Sequence, residues 1–103
     1  MAVIDQYRSL LTVLVVFELS PEQVDEQIAT IKEFLLESVK QQPGFVSANL
    51  HISLDKTRIV NYAQWRTEQD YQNFLENEDV QAKASKILKI KPTTTLMKVA
   101  LAT

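Results

Sequence analysis

The sequence predicts an α+β fold with elements in the order β-α-β-β-α-β, one antiparallel sheet and helices on one face. An apolar, β-branched run near the N-terminus is followed by a long stripe of helical period. An alternating hairpin comes next, and further helical stripes precede a last β-branched run. This order corresponds to a split βαβ, or ferredoxin-like, arrangement. Since no repeat or linker interrupts its 103 residues, we expect one domain over residues 1–103.

The first strand and helix carry the clearest signals. Residues 10–19, LLTVLVVFEL, are apolar on both faces, which is typical of a central strand. Residues 20–23, SPEQ, combine a capping-box pattern with proline at the first helical position. The helix is expected to end at the pair Pro43-Gly44. Its apolar stripe consists of Val24, Ile28, Ile31, Leu35 and Val39.

A hairpin follows the glycine. Residues 46–54 alternate between apolar and polar side chains, residues 55–58 form a polar turn, and residues 59–66 return. We predict the register from Leu54 opposite Ile59. The helix-facing pairs are then Ile52 with Asn61, Leu50 with Ala63 and Ala48 with Trp65. The reverse-face pairs are His51 with Tyr62, Asn49 with Gln64 and Ser47 with Arg66.

The last third of the chain predicts two helices and a strand. A short helix begins at residues 67–70, TEQD, and breaks near residues 77–79. A second helix ends before Pro92, and residues 93–101 form the last strand. The first helix is expected to turn Tyr71, Phe74 and Leu75 inward. The inner stripe of the second consists of Val80, Ala84, Ile87 and Leu88.

Composition excludes several classes of function. Eleven basic and thirteen acidic residues without a basic cluster predict no nucleic-acid partner, since phosphate binding needs clustered cations. No cysteine and one histidine leave no common metal site. One glycine leaves no glycine-rich nucleotide loop, so we expect no nucleotide cofactor. We also expect no membrane segment or signal peptide, and hence a cytoplasmic protein.

Asn61 is a polar residue within the apolar row of the helix-facing side. A buried amide must find a hydrogen bond or cost about 1–3 kcal/mol. Ala63 beside it is small, which leaves room for a cavity flanked by Trp65 and Tyr71. The sequence therefore predicts a site for a flat, partly apolar small molecule between sheet and helices.

The reverse face of the sheet mixes polar and aromatic side chains, for which we assign Phe45, His51, Tyr62 and Phe17. A second copy packed sheet to sheet would cover it, so we predict a homodimer. His51 has two interpretations: a catalytic base, or a strand residue bonded to Tyr62 or to the partner subunit, which we favour. His51 and Tyr62 therefore mark a candidate second site or dimer interface.

The stretch GFVSANLHISLDKTRIVNYAQWRTEQDY, residues 44–71, resembles the antibiotic biosynthesis monooxygenase family. Chain length and element order also fit that family's dimeric α+β barrel. The resemblance implies a cofactor-independent oxygenase that acts on a phenolic or quinol substrate. It implies that Asn61, Trp65 and Tyr71 orient the ring and stabilise its phenolate, which gives an electron to O₂ and recombines to a peroxide. The expected substrate-binding neighbours are Ile52, Ala63 and Phe74.

The chain departs from the family pattern at several positions. Ser85, with Lys83 and Lys86 nearby, stands where quinone-forming members carry a basic arginine. Ile52 and Lys56 stand where many relatives have an arginine and a glycine. The axial histidine and second tryptophan of haem-degrading members correspond to Phe74 and Ala84, so haem degradation is not expected.

Two functions follow from this pattern. One is a monooxygenase acting on phenols or quinols, and the other is a non-catalytic dimeric module that binds a small ligand or serves a stress response. A cavity that reaches Asn61, Trp65 and Tyr71 favours the enzyme. A core packed solid around them, with Asn61 bonded only to backbone, favours the module.

Overall fold

The computed structural model describes residues 10–103, and the predictions made for residues 1–9 lie outside this range. The described strands are β1 (Leu11–Glu18), β2 (Phe45–Ile52), β3 (Arg58–Trp65) and β4 (Thr93–Lys98). The α-helices are α1 (Val24–Phe34), α2 (Glu68–Glu76) and α3 (Glu78–Ile87). The strands form one antiparallel sheet in the order β2-β3-β1-β4. The predicted α+β, ferredoxin-like fold is confirmed.

Strand β1 is central, as its sequence predicts. It pairs with β3 on one side and with β4 on the other, so that Val13 lies between Ala63 and Leu96. Leu11, Val13 and Phe17 are buried on the helix-facing side. Within residues 10–103, no helix combines the length and the apolar character needed to cross a membrane.

The first helical segment begins at the predicted cap and ends at Val39, before the predicted end at Pro43-Gly44. The Ser20 N–H donates to Gln23 Oε1 at 2.9 Å, and a 3-10 turn over Pro21–Gln23 leads into α1. A π-helical turn at Leu35–Val39 follows, in which the Lys40 N–H donates to the Leu35 carbonyl at 2.9 Å. Gly44 then adopts a φ of 83°, a conformation that glycine allows without a steric penalty.

The hairpin register differs from the prediction by two residues. Leu50 lies opposite Asn61 and Ala48 opposite Ala63, while His51 faces Val60 and Asn49 faces Tyr62. On the same pattern Ile52 faces Ile59, and Ser47 faces Gln64. Faces are preserved because a shift of two keeps the parity of each strand. The predicted faces of Asn61 and His51 are therefore correct, and their predicted partners are wrong.

The turn explains this shift. The Ser53 N–H donates to the Arg58 carbonyl at 2.9 Å, which closes the hairpin one residue earlier on each strand than a Leu54–Ile59 pair would. The Asp55 carboxylate accepts hydrogen bonds from Ser53 Oγ at 2.8 Å and from Thr57 Oγ1 at 2.7 Å. Leu54 consequently lies in the loop and is fully exposed, so its assignment to the apolar face is wrong.

A β-bulge between Phe45 and Ser47 changes the face of Phe45. Phe45 lies opposite Trp65, and the two rings meet edge to face with centroids 5.7 Å apart. Phe17 is likewise buried against Ile31 and Ile59. Both phenylalanines are therefore on the helix-facing side, and their placement on the reverse face is wrong.

Side-chain caps start both helices of the last third. The Asp70 N–H donates to Thr67 Oγ1 at 3.0 Å for α2, and the Val80 N–H donates to Asn77 Oδ1 at 3.2 Å for α3. Tyr71 is buried and Phe74 is half-buried, as predicted. Leu75 is exposed instead of inward, because it lies about 100° further round α2 than Phe74.

Strand β4 is shorter than predicted. Its described pairing with β1 ends where Lys98 lies opposite Leu11, and residues 99–101 are not assigned to a strand. It is also an edge strand, and most of its side chains are exposed.

Candidate functional site

A cavity of about 170 Å³ lies between the sheet and the helices that cover it. Strands β1 and β3 form its floor, and side chains from α1, α2 and α3 form its walls. The lining is mostly apolar. Its polar side chains are Asn61, Gln81 and Thr94, together with the polar tips of Trp65 and Tyr71.

The cavity brings together most of the residues predicted from the sequence. Asn61, Trp65 and Tyr71 all line it, as do Ala63 and Phe74. Ile52 is not among the lining residues and is 42% exposed. The two-residue shift in register explains this, because Ile52 lies opposite Ile59 at the end of the hairpin instead of opposite Asn61.

Asn61 is held in the middle of the sheet. Its strand neighbours are Val15 on β1 and Leu50 on β2, and only 8% of its surface is exposed. Its Oδ1 is buried and accepts no hydrogen bond from any residue in the described range. An acceptor left in this state costs about 1–3 kcal/mol.

An aromatic cluster borders Asn61 on the same face. Trp65 is 2% exposed and is four residues from Asn61 on β3, so both side chains point to the same side. Phe74 stacks on Trp65 with centroids 5.1 Å apart, and Tyr71 meets Trp65 edge to face at 5.7 Å. This cluster gives the cavity a flat aromatic wall.

The electrostatic environment of the cavity is neutral. No aspartate, glutamate, lysine, arginine or histidine is among its lining residues in the described part of the chain. Burial raises the pKa of the Tyr71 phenol, because the phenolate would lose its hydration. The tyrosine therefore remains protonated at neutral pH.

The basic-residue position of the family pattern faces solvent here. Ser85 is exposed and does not line the cavity. Lys86 is exposed as well, and Lys83 Nζ lies 3.6 Å from Glu37 Oε2 in a surface ion pair. None of these side chains contributes charge to the cavity.

His51 and Tyr62 lie on the reverse face, away from the cavity. His51 is exposed, and its Nδ1 lies 3.0 Å from the backbone carbonyl oxygen of Asn49. The Nδ1–H tautomer donates this hydrogen bond. Between residues 10 and 103, no cluster of three or more histidine, aspartate or glutamate residues has the arrangement of a metal site.

Gln81 was not singled out from the sequence, although it lines the cavity. The sequence pattern that could have identified Gln81 is its spacing from Ala84 and Leu88, which places it on the inner stripe of α3. Its Nε2 donates to the Phe74 carbonyl oxygen at 3.1 Å, which holds the side chain against the end of α2.

The chain matches a known protein family. The model of the family described as antibiotic biosynthesis monooxygenase matches residues 10–85. The chain is 39% identical over 71 residues to the tetracenomycin-F1 monooxygenase of Streptomyces glaucescens. That match includes 69% of this chain and 63% of the length of the relative.

Solved structures with the same fold also match. One is a monooxygenase from the gene ActVA-Orf6 of Streptomyces coelicolor in complex with nanaomycin D. Its TM-score is 0.73 at 28% identity, with 99% of this chain and 97% of that chain covered. Another is SnoaB, a cofactor-independent oxygenase from Streptomyces nogalater. Its TM-score is 0.70 at 20% identity, with 91% of this chain and 96% of that chain covered.

Proposed function

Because the chain belongs to the antibiotic biosynthesis monooxygenase family, we propose that it is a cofactor-independent monooxygenase acting on a phenolic or quinol-type ring. The observation that carries the proposal is the mostly apolar cavity that Asn61, Trp65 and Tyr71 line together. A packed core around these residues would have favoured a non-catalytic module.

Each side chain has a distinct task in this proposal. The ring packs on the flat face beside Trp65, which fixes its plane. The Asn61 amide hydrogen-bonds a ring oxygen, which orients the ring. Tyr71, kept protonated by burial, borders the same space and supplies a neutral hydroxyl.

The reaction is balanced without another oxidant. The oxygenated position is a ring carbon that lies opposite a hydroxyl and bears hydrogen but no oxygen; in the keto tautomer of the substrate this carbon carries two hydrogens. O₂ takes four electrons from the substrate: one oxygen atom becomes the new carbonyl on that carbon, and the other leaves as water with the two hydrogens. The product is a quinone.

The test is oxygen uptake with a panel of quinols and polyphenols, with a metal chelator present throughout. We expect uptake by the wild type and a loss of about tenfold or more in Asn61→Ala and Trp65→Phe, since one positioned hydrogen bond can contribute 10²-fold. Asn73→Ala, which removes an exposed amide on α2, is the matched control and should retain full uptake. Equal uptake by all four proteins would refute the assignment of the site.

The neutrality of the cavity favours the second candidate function, a non-catalytic ligand-binding module. No described lining residue carries a charge that would help remove a ring proton. A module of this kind would bind quinols under anaerobic conditions and show no uptake above the spontaneous rate in air. The same panel therefore separates the two functions.

The proposal includes a homodimer in the cytoplasm. Partly exposed apolar side chains on the reverse face support the dimer, namely Leu14, Val16, Val60 and Tyr62. Burying them against a second sheet would remove them from water. Size-exclusion chromatography with light scattering should report twice the chain mass, and Val60→Glu should reduce it to one chain.

A further inference from the structure

We propose that the substrate is a phenolic compound that carries a carboxylate, and that Lys89 and Lys91 attract this carboxylate at the mouth of the cavity. The mouth is the opening beside Leu88, Pro92 and Thr94. The phenolic ring enters the neutral cavity, and the carboxylate stays in water at the mouth. The inference rests on the cavity assigned in the proposed function and narrows its substrate class, but it does not depend on turnover.

The cavity opens to solvent on the side of α3 and β4. Its lining residues are buried or half-buried, with the exception of Thr94 on β4, which is exposed. Leu96 lies on the same face of β4 as Thr94 and is 42% exposed. Since β4 is also an edge strand, this border of the sheet is open, and the cavity reaches water between Leu88 and Thr94.

A substrate of more than one ring has to extend through the mouth. An apolar cavity of about 150 Å³ accommodates benzene. The cavity here measures about 170 Å³, so about one ring fills it. Because the cavity is open, further rings and substituents can pass Leu88 and Thr94 without displacing a helix. The charges around the mouth therefore act on that part of the substrate.

The segment that borders the mouth is strongly cationic. Residues 80–98 contain five lysines and no aspartate or glutamate, whereas all thirteen acidic residues occur earlier in the chain. Lys89 directly follows the lining residue Leu88, and Lys91 directly precedes the lining residue Pro92. Adjacent Cα atoms are about 3.8 Å apart, so both lysines begin beside the mouth.

The charge of these two lysines is available to a ligand. Ile90 packs against the buried Phe17, which anchors the chain between the two exposed lysines. Within residues 10–103 neither lysine is in an ion pair, whereas Lys83 is paired with Glu37. The acidic residues of α3 lie in its first turn, at the opposite end of the helix. A cleft with one sign of charge and apolar walls raises the association rate of a counter-ion by about 10- to 10³-fold.

The cavity and its mouth give the substrate an orientation. An anion that leaves water for an apolar site loses its hydration energy unless a cation or several donors replace it. No described lining residue is cationic, so a carboxylate is excluded from the interior. At the mouth it keeps its water and gains the attraction of the lysines. The uncharged ring therefore points inward and the carboxylate outward.

The test is anaerobic binding of 5-hydroxy-2-naphthoate and of its neutral carboxamide. The carboxylate lies on the ring remote from the hydroxyl, and the carbon opposite the hydroxyl bears hydrogen, as the proposed reaction requires. Calorimetry gives the dissociation constants, and stopped-flow quenching of Trp65, the only tryptophan in the chain, gives the association rates.

The wild type should prefer the carboxylate in a manner that depends on salt. At about 10 mM ionic strength, where the Debye length is about 30 Å, we expect the carboxylate to bind about three- to tenfold more tightly than the carboxamide. In about 1 M salt, where the Debye length is about 3 Å, the preference should disappear. Equal binding of the two probes at low salt, or a preference that persists at high salt, would overturn the inference.

The variant Lys89→Gln/Lys91→Gln removes the two charges at the mouth. It should lose most of the preference while its carboxamide affinity stays unchanged, which serves as an internal test of folding. The matched control is Lys40→Gln/Lys56→Gln. Lys40 and Lys56 flank β2 in the chain, and β2 is the edge strand opposite β4. The control loses the same net charge and should keep the preference.

An equal reduction of the preference in both double variants would contradict the inference, because net charge and not the position of the lysines would then be the cause. A preference for the carboxylate that depends on Lys89 and Lys91, found without oxygen uptake, would support the inference and refute only the catalytic proposal.

Discussion

Phe74 stacks on Trp65 with ring centroids 5.1 Å apart and the ring planes inclined by 30°. Trp65 is the last residue of β3, and Phe74 lies in the second half of α2, so this contact joins the sheet to the helix that closes the cavity. Phe74 therefore helps to determine the dimensions of the site.

Truncation of Phe74 should therefore enlarge the cavity. Phe74→Ala is expected to cost about 2 kcal/mol in the free energy of unfolding, less than the 3–5 kcal/mol of a fully buried phenylalanine because Phe74 is half-buried. It should also bind 1,4-dihydroxynaphthalene more tightly than the wild type does. Urea unfolding and anaerobic titration provide the two measurements. Leu75→Ala, which truncates the exposed neighbour, should change neither quantity appreciably.

Asn61 should show a conflict between stability and activity. Asn61→Leu replaces an unpaired buried acceptor by an apolar side chain of similar size and is expected to stabilise the protein by about 1–3 kcal/mol. The same variant should lose oxygen uptake. Thermal unfolding checks the first expectation, with Asn73→Leu as the exposed control. A clear destabilisation would mean that the Asn61 amide already has a partner in the folded protein.

Lys56 has a backbone conformation that glycine would adopt at less cost. Its φ is 61°, in the left-handed region, where a side chain costs about 1–2 kcal/mol. Lys56→Gly should therefore raise the free energy of unfolding, by about 1 kcal/mol once the greater entropy of the unfolded glycine is subtracted. Lys56→Ala keeps the Cβ and should give no such gain. If both variants gain equally, the charge of the lysine and not its backbone is the cause.

Much of the fold could be predicted because local signals and the global arrangement agree. The predicted caps at Ser20 and Thr67 start helical segments in the structure, and the period of two in β2 and β3 assigns Asn61 and His51 to opposite faces. The face of each strand residue depends only on the alternation of side chains, so the predicted faces are correct although the predicted register is wrong.

The register itself depends on atoms that a pattern of apolar residues does not report. The hydrogen bonds of Ser53 and Asp55 determine where the hairpin closes, and a bulge after Phe45 changes the face of that residue. Gln81 was missed for a related reason: a single glutamine on a helical stripe acquires meaning only when the cavity beside it is known.

The Asp55 turn should weaken in acid. Hydrogen bonds from Thr57 and then Ser53 lower the pKa of the Asp55 carboxyl to about 2. Because the folded pKa lies below the unfolded value, the stabilisation by this group is complete above about pH 4 and is lost as pH falls towards 2. Asp55→Asn should consequently be less stable than the wild type at pH 6, and the difference should shrink between pH 4 and 2. Urea unfolding across this range checks it, and a difference independent of pH would contradict it.

Gly44 should be the most sensitive position outside the cavity. Its φ is 83°, and a Cβ built there would overlap the Cβ and Cγ of Asp70, which α2 holds in place. Gly44→Ala is therefore expected to cost about 2–4 kcal/mol, combining backbone strain with the steric overlap. In a double-mutant cycle with Asp70→Gly, the combined loss should be smaller than the sum of the single losses, because Asp70→Gly removes the side chain that the new Cβ would overlap.

The Gly44 carbonyl also accepts the Arg66 N–H at 2.8 Å, one residue after Trp65. A displacement of Gly44 should therefore also displace Trp65. Gly44→Ala should shift the Trp65 fluorescence as well as the unfolding midpoint. Asp70→Gly alone should leave the fluorescence unchanged.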